Sequence, residues 1–336
     1  MMRARWMVLF VVLAIGGVAA ACGGDADSES SGGRDGAGLD PSVWSAEALS
    51  PDPDAVFVPL LINSNLGVGA NRLVMALINR DGVTVLDAQV EARFFTLETE
   101  DGTDTVASVA DAGELVMRGR TIVPSIDHVH PDGEVHAHQS SPAGVFVTDI
   151  RFEQSGWWGA ELDARGAEGD AEDIRVKFFV REATLEPGVG DPAPRTTQPV
   201  LADVQDIGEL DTSRPPNPEF HDMTVAEAIQ TGKPVVVAFA TPAFCQTQFC
   251  GPVLSGAVAP LAAQFGDAIE IVHIEPFDLA AVEQGEGLVA VPELAEWGLV
   301  TEPWVFVVGG DGTVAAKFEG IVEAEEIASV LTRLLG

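Results

Sequence analysis

The residues that most constrain this chain are Val235-Val236-Val237-Ala238-Phe239-Ala240, six apolar side chains in an unbroken row. A strand that is apolar on both faces must be covered on both faces, which calls for helices packed on the two sides of a sheet. The surrounding residues supply them. Residues 223–231 read as a helix stopped by Gly232-Lys233-Pro234, residues 252–265 as a helix, 268–274 as a second buried strand and 292–297 as a short helix. Residues 304–308 and 314–318 flank Gly309-Gly310-Asp311-Gly312 as a hairpin, and residues 323–335 have the amphipathic period of a closing helix.

Upstream the period is that of strands. Short β-rich runs at 56–61, 72–78, 90–95, 144–150 and 174–180 are punctuated by Asn79-Arg80-Asp81-Gly82, Asp101-Gly102 and Pro131-Asp132-Gly133. Many short strands without a helix predict an all-β immunoglobulin-like sandwich over residues 51–186, with the aromatic run 156–162 in its core. Residues 187–220 carry seven prolines and are expected to cross the surface as an extended linker. The α/β pattern then fills residues 221–336.

The first 21 residues read as a signal peptide: Arg3 and Arg5, then sixteen uncharged residues ending in small side chains, too short for a membrane span. Ala19-Ala20-Ala21-Cys22-Gly23 resembles the lipobox of bacterial lipoproteins, which implies that Cys22 is lipidated and anchors the chain on the extracytoplasmic face of the cell membrane. The remainder of 22–50 begins with Gly, Ser, Asp, Glu and Ala, a composition expected of a flexible tether. Fifty-two acidic residues against eighteen basic ones give a formal charge of −34. That argues against nucleic acid or an anionic lipid surface as a partner, since both are bound through basic patches.

Three cysteines exclude a disulfide-dense scaffold. With Cys22 assigned to lipid, Cys245 and Cys250 remain, five positions apart, and an oxidising compartment favours their pairing. They directly follow the apolar strand, in Thr241-Pro242-Ala243-Phe244-Cys245-Gln246-Thr247-Gln248-Phe249-Cys250-Gly251-Pro252.

The strand, the cysteine loop and the following helix, together with Trp297-Gly298-Leu299-Val300-Thr301-Glu302-Pro303 and the final hairpin with Gly320, resemble the thioredoxin-fold family. The resemblance covers about a third of the chain. It implies a redox-active dithiol at Cys245 and Cys250, a cis Pro303 facing it, and partners that are thiol- or disulfide-containing exported proteins, with no cofactor required. Glu302 then lies beside the dithiol as a negative charge near the sulfurs. The four-residue spacing leaves two alignments open: Cys245 in the nucleophile position, or Cys250 at the helix start with Cys245 in a lengthened loop. In both, a thiolate at a helix N-terminus is stabilised by free amides and the macrodipole. Ala238 stands where thioredoxins bury an acid. A purely structural disulfide stapling the loop is the plainer alternative.

Two other chemistries compete. The run from Thr241 to Gly251 resembles the Thr-Pro-x-Cys-x-x-Gln-x-Cys-Gly segment of Q-type peroxiredoxins, with one extra residue before Cys245. That family places an arginine over the thiolate, and only Arg333 follows residue 221. Copper delivery, as in thioredoxin-fold assembly factors, would use Cys245 and Cys250 with His273.

Four of six histidines fall within eleven residues, at His128, His130, His136 and His138. Each His-x-His puts two imidazoles on one strand face, and pairing His130 with His136 across the turn would gather all four, a copper or zinc site. A solvated polar hairpin is the commoner outcome for such a run.

Overall fold

The structure is a computed structural model that describes residues 38–50, 52, 54–100, 105–123, 125–129, 135–139, 141–245 and 247–336. The expected signal peptide, Cys22 and residues 23–37 of the expected tether lie outside these residues, as does His130. The rest of the expected tether, residues 38–50, is described and buries Trp44 against Phe95. No helix among the described residues is long and apolar enough to cross a membrane. Residues 37–336 cluster as one unit.

The first region is built from β1 (Phe57–Leu61), β2 (Leu66–Gly67), β3 (Gly69–Asn79), β4 (Ala88–Thr99), β5 (Val106–Ile122), the hairpin β6 (Ser125–Val129) and β7 (Val135–Gln139), β8 (Ala143–Phe152), β9 (Gly156–Gly166) and β10 (Gly169–Arg181). Eight of these strands form one hydrogen-bonded sheet in the order β1-β3-β8-β5-β4-β9-β10-β2. The sheet curls because β5 serves two partners. Its first part pairs with β4, from Val106 opposite Thr99 to Met117 opposite Val90, and its last five residues pair with β8. Inside the curl, Leu73, Met75 and Leu77 meet Phe94, Phe146, Leu162 and Phe178 in a single apolar core. The expected β-rich region is therefore present, but as one curled sheet rather than two separately hydrogen-bonded ones. Strand β5 escapes detection because only two of its seventeen residues are buried, so it has no apolar alternation to read.

The second region contains α1 (Val225–Gln230), β11 (Val235–Phe239), α2 (Cys250–Val253), α3 (Ala259–Phe265), β12 (Glu270–Ile274), α4 (Leu279–Glu283), α5 (Pro292–Glu296), β13 (Trp304–Val308), β14 (Val314–Glu319) and α6 (Ala324–Leu335). Their sheet runs β12-β11-β13-β14, with β11 parallel to β12 and antiparallel to β13. Every residue of β11 is buried. Its Val236 and Ala238 face Leu261, Ile327 and Leu331 from the helices of one side, and its Val235, Val237 and Phe239 face Val225, Ile229 and Trp297 on the other. Double coverage explains why the run carries no polar residue. Helices α2 and α3 are joined by a π-helical stretch at Leu254–Val258. Thr224 caps α1 through the Glu227 amide, with the Glu227 carboxylate reaching back to the Thr224 amide.

The proline-rich segment behaves differently from the expected surface connector. The amide of Gly190 donates to Val314 and that of Ala193 to Gly312, so the segment extends along the β14 hairpin. Thr196 accepts the Trp297 indole N–H at 2.8 Å, and Gln198 spans the Met223 carbonyl and the Val225 amide. Thr196, Gln198 and Asp211 are buried. Proline removes backbone donors but leaves carbonyls and the intervening residues free to pair, so a proline-rich segment can still be packed into a fold.

The two regions meet through Arg72 of β3, which makes a two-point contact with Glu326 of α6 at 3.1 Å and donates to the Ile321 carbonyl. Arg120 also reaches Glu326, at 3.0 Å. Ile321 packs among Val74, Ala76, Val145 and Val147, and Phe249 joins the same cluster. The residue before Cys250 is thus seated on the curled sheet.

Candidate functional site

Strand β11 ends at Phe239 and delivers the chain into the cysteine loop, where the Cys245 amide donates to the Thr241 carbonyl. Cys245 and Cys250 form a disulfide with a Cα–Cα distance of 5.9 Å. Cys250 is the first residue of α2 and Cys245 lies in the preceding loop. The helix start thus belongs to Cys250, as in the second alignment, while the choice of attacking cysteine turns on exposure and hydrogen bonding. Cys250 is fully buried and Cys245 is 8% exposed. The Cys250 amide, which has no acceptor within its own helix, donates to the Cys245 sulfur at 3.2 Å, and the Thr247 hydroxyl lies 3.2 Å from the same sulfur. Two donors converge on Cys245, so any charge developing there is stabilised by a helix-terminal amide.

The Glu302–Pro303 peptide is cis. It immediately precedes β13, whose Trp304 is the ladder partner of Phe239. Glu302 and Pro303 therefore stand at the sheet end from which the cysteine loop departs. Ala238 is a core residue, as its strand position requires.

A buried acid reaches the loop from another element. Glu275, one residue beyond β12, accepts from the Thr212 amide at 2.8 Å and from the Thr212 hydroxyl, which itself accepts from the Ala243 amide at 3.1 Å. Burial pushes the Glu275 carboxyl above the ordinary range, against the opposing influence of His273 and Thr212.

Beside it sits a cluster formed by Asp211 of the proline-rich segment, His221 and His273 of β12, all buried. His221 Nε2 is 3.4 Å from Asp211 Oδ2 and 3.3 Å from His273 Nδ1, and His273 Nδ1 is 3.8 Å from Asp211 Oδ1. Burial disfavours a charged Asp211, but the His221 bond, the neighbouring His273 imidazole and the Asn217 and Ser213 donors outweigh it and hold the carboxyl below its usual range. Burial also pushes the His273 imidazole down, toward the neutral form. These residues could hold a metal ion. His273, the expected third copper ligand beside the cysteines, is instead engaged by His221 and by the Ala240 carbonyl at 2.8 Å. The peroxidase reading fares no better. Arg333 lies on α6 with Nη1 on the Ser329 hydroxyl.

In the histidine hairpin the ladder pairs His128 with His136 and Ile126 with His138, two residues away from the expected register. Strand β6 approaches α2, the helix that Cys250 begins.

Asp211, His221, Thr212 and Glu275 were not anticipated as site residues. His221 had one available signal, being one of only two histidines outside the hairpin. Asp211 and Glu275 had none among fifty-two acids. No protein-family model matches the chain, and a search of the curated proteins finds no match either.

Proposed function

We propose that the chain is a thiol–disulfide oxidoreductase of thioredoxin-like architecture, exported and held by a lipidated Cys22 on the extracytoplasmic face of the membrane. Its partners are exported proteins with exchangeable disulfides or thiols. The observation that carries this reading is the Cys245–Cys250 disulfide at the start of α2, with the Cys250 amide on the Cys245 sulfur. The sheet order β12-β11-β13-β14 and the cis Glu302–Pro303 peptide at the same sheet end support it. The curled sheet supports the cysteine loop through Phe249.

In the reducing direction, the Cys245 thiolate attacks one sulfur of a partner disulfide. A Cys245–partner bond forms, and the other partner sulfur leaves as a thiolate. The Cys250 thiolate then attacks Cys245, closing the intramolecular disulfide and releasing the partner's second sulfur. Two electrons and two protons pass from the cysteine pair to the partner, and the reverse sequence oxidises a dithiol. Cys245 is the entering group because it is the less buried and receives two donors.

The test is the equilibrium of the pair with glutathione, alongside exchange with a model protein disulfide. An exchange-active pair has a potential between about −270 and −120 mV and loses turnover in Cys245→Ser. A potential below about −300 mV, with no exchange, would assign the disulfide to structural stapling.

A further inference from the structure

The Asp211–His221–His273 cluster is separate from the disulfide, and exchange chemistry makes no use of it. Its geometry poses a problem of hydrogen count. His273 Nε2 lies 2.8 Å from the Ala240 carbonyl, an acceptor only, so it must carry the hydrogen and donate. In the neutral ring this leaves His273 Nδ1 as a bare lone pair, 3.8 Å from a carboxylate oxygen with which it shares no hydrogen. His221 Nε2 faces both, at 3.3 and 3.4 Å, and has one hydrogen at most to offer. Those separations are long for hydrogen bonds of this kind, whose usual length is about 2.9–3.0 Å.

The 3.3 Å His221–His273 and 3.4 Å His221–Asp211 separations suit ligands around a common cation, with the 3.8 Å His273–Asp211 separation the one longer edge. Zinc bonds of about 2.0–2.1 Å in a tetrahedral site imply ligand–ligand edges of about 3.3 Å, and two imidazoles with a carboxylate form a common zinc donor set. The outer contacts also match a metal site. The Ala240 carbonyl fixes the His273 tautomer with Nδ1 turned inward. Asp211 is oriented by the amides of Ser213 at 2.7 Å and Asn217 at 2.8 Å, and by the Ser213 hydroxyl.

A second feature points the same way. His221 and His273 line a cavity of about 280 Å3, together with Gln198, Glu209, Glu275 and Glu293. Glu275 is 6% exposed, and its Oε2 has no hydrogen-bond partner among the described residues. The cavity gives an ion a route in and leaves a fourth position open to it.

The geometry points to a zinc site formed by Asp211, His221 Nε2 and His273 Nδ1, with a fourth position open to the cavity. The bound ion joins the proline-rich segment to β12 and, through Ala240, to the root of the cysteine loop. It accounts for a fully buried aspartate contributed by a segment composed largely of turn-forming residues.

The experiment uses the whole exported chain with Cys245–Cys250 oxidised, so that the sulfurs are not ligands. The histidine hairpin is removed as a competitor by changing His128, His130, His136 and His138 to alanine. This protein, stripped with chelator, should take up one equivalent of zinc. Cobalt(II) in place of zinc should give the intense visible absorption of a tetrahedral ion. Asp211→Asn and His221→Gln in the same background should each abolish the stoichiometric uptake. If the hairpin-free protein takes up no zinc and shows no tetrahedral cobalt spectrum, the proposal is overturned without reference to whether the cluster variants fold. Full uptake retained in a folded Asp211→Asn protein also overturns it.

Discussion

The Cys250 amide donates to the Cys245 sulfur at 3.2 Å, so the cysteine that begins the helix supplies a hydrogen bond to the cysteine that precedes it. This gives the two sulfurs unequal roles. Charge on Cys245 is met by the amide and by Thr247, whereas Cys250 is sealed in the core between Val253, Val258 and the sheet.

The inequality predicts where a mixed disulfide accumulates. In Cys250→Ser, attack by Cys245 still occurs but the resolving thiol is absent. A small aromatic disulfide probe should therefore become covalently attached at Cys245, one equivalent per chain by mass spectrometry. In Cys245→Ser the buried Cys250 should label far more slowly. Equal labelling of the two variants would remove the assignment of the attacking group.

Thr247 provides a finer test. Its hydroxyl stabilises a charged Cys245 in the reduced protein more than a sulfur already in a disulfide. Thr247→Ala should thus disfavour the reduced form by about 1 kcal/mol, the usual contribution of one hydrogen bond. That shifts the reduction potential to more negative values by on the order of 20 mV. A potential shift of the opposite sign would mean that the hydroxyl interacts more strongly with the disulfide.

Much of the α/β region is legible in the sequence because its signals are local and redundant. The run 235–240 is apolar at every position, and the hairpin 304–318 is bounded by its own glycines. Those cues fix elements, and the elements bring Glu302–Pro303 to the sheet end from which the cysteine loop departs. The Asp211 cluster is illegible for the opposite reason. Its members lie at positions 211, 221 and 273 on three different segments, and nothing near Asp211 distinguishes it from the surface acids. The curl of the first sheet is hidden in the same way. Strand β5 is held by neighbours on both sides, and most of its own side chains face solvent.

The contact between the two regions should be acid-sensitive. Burial opposes a charged Glu326, but Arg72 and Arg120 prevail and hold its carboxyl below the ordinary range. A depressed folded-state value means stability that is fully present above the unfolded carboxylate range near 4.5 and is lost as pH falls through the folded value. Arg72→Ala removes the main partner of a largely buried charge and should cost about 3 kcal/mol at pH 7, since Arg120 remains. The deficit should shrink in urea melts toward pH 3, where Glu326 takes up its proton in the variant. A deficit independent of pH would locate the effect in lost packing of the Arg72 guanidinium over the Phe318 ring.

The last prediction concerns the proline-rich segment. If it is part of the α/β fold, breaking one of its buried polar contacts should destabilise the whole region. Thr196 is 2% exposed; it accepts the Trp297 indole N–H and donates to Glu296. Thr196→Val keeps the shape but leaves the indole nitrogen buried without an acceptor, at a cost of about 1–3 kcal/mol. Trp297 packs edge-on against Phe239 of β11, close to the start of the cysteine loop. The loss should therefore appear as an earlier denaturation midpoint with an unchanged slope, when unfolding is followed by tryptophan fluorescence of the oxidised protein. A segment that merely crossed the surface would leave the midpoint where it was.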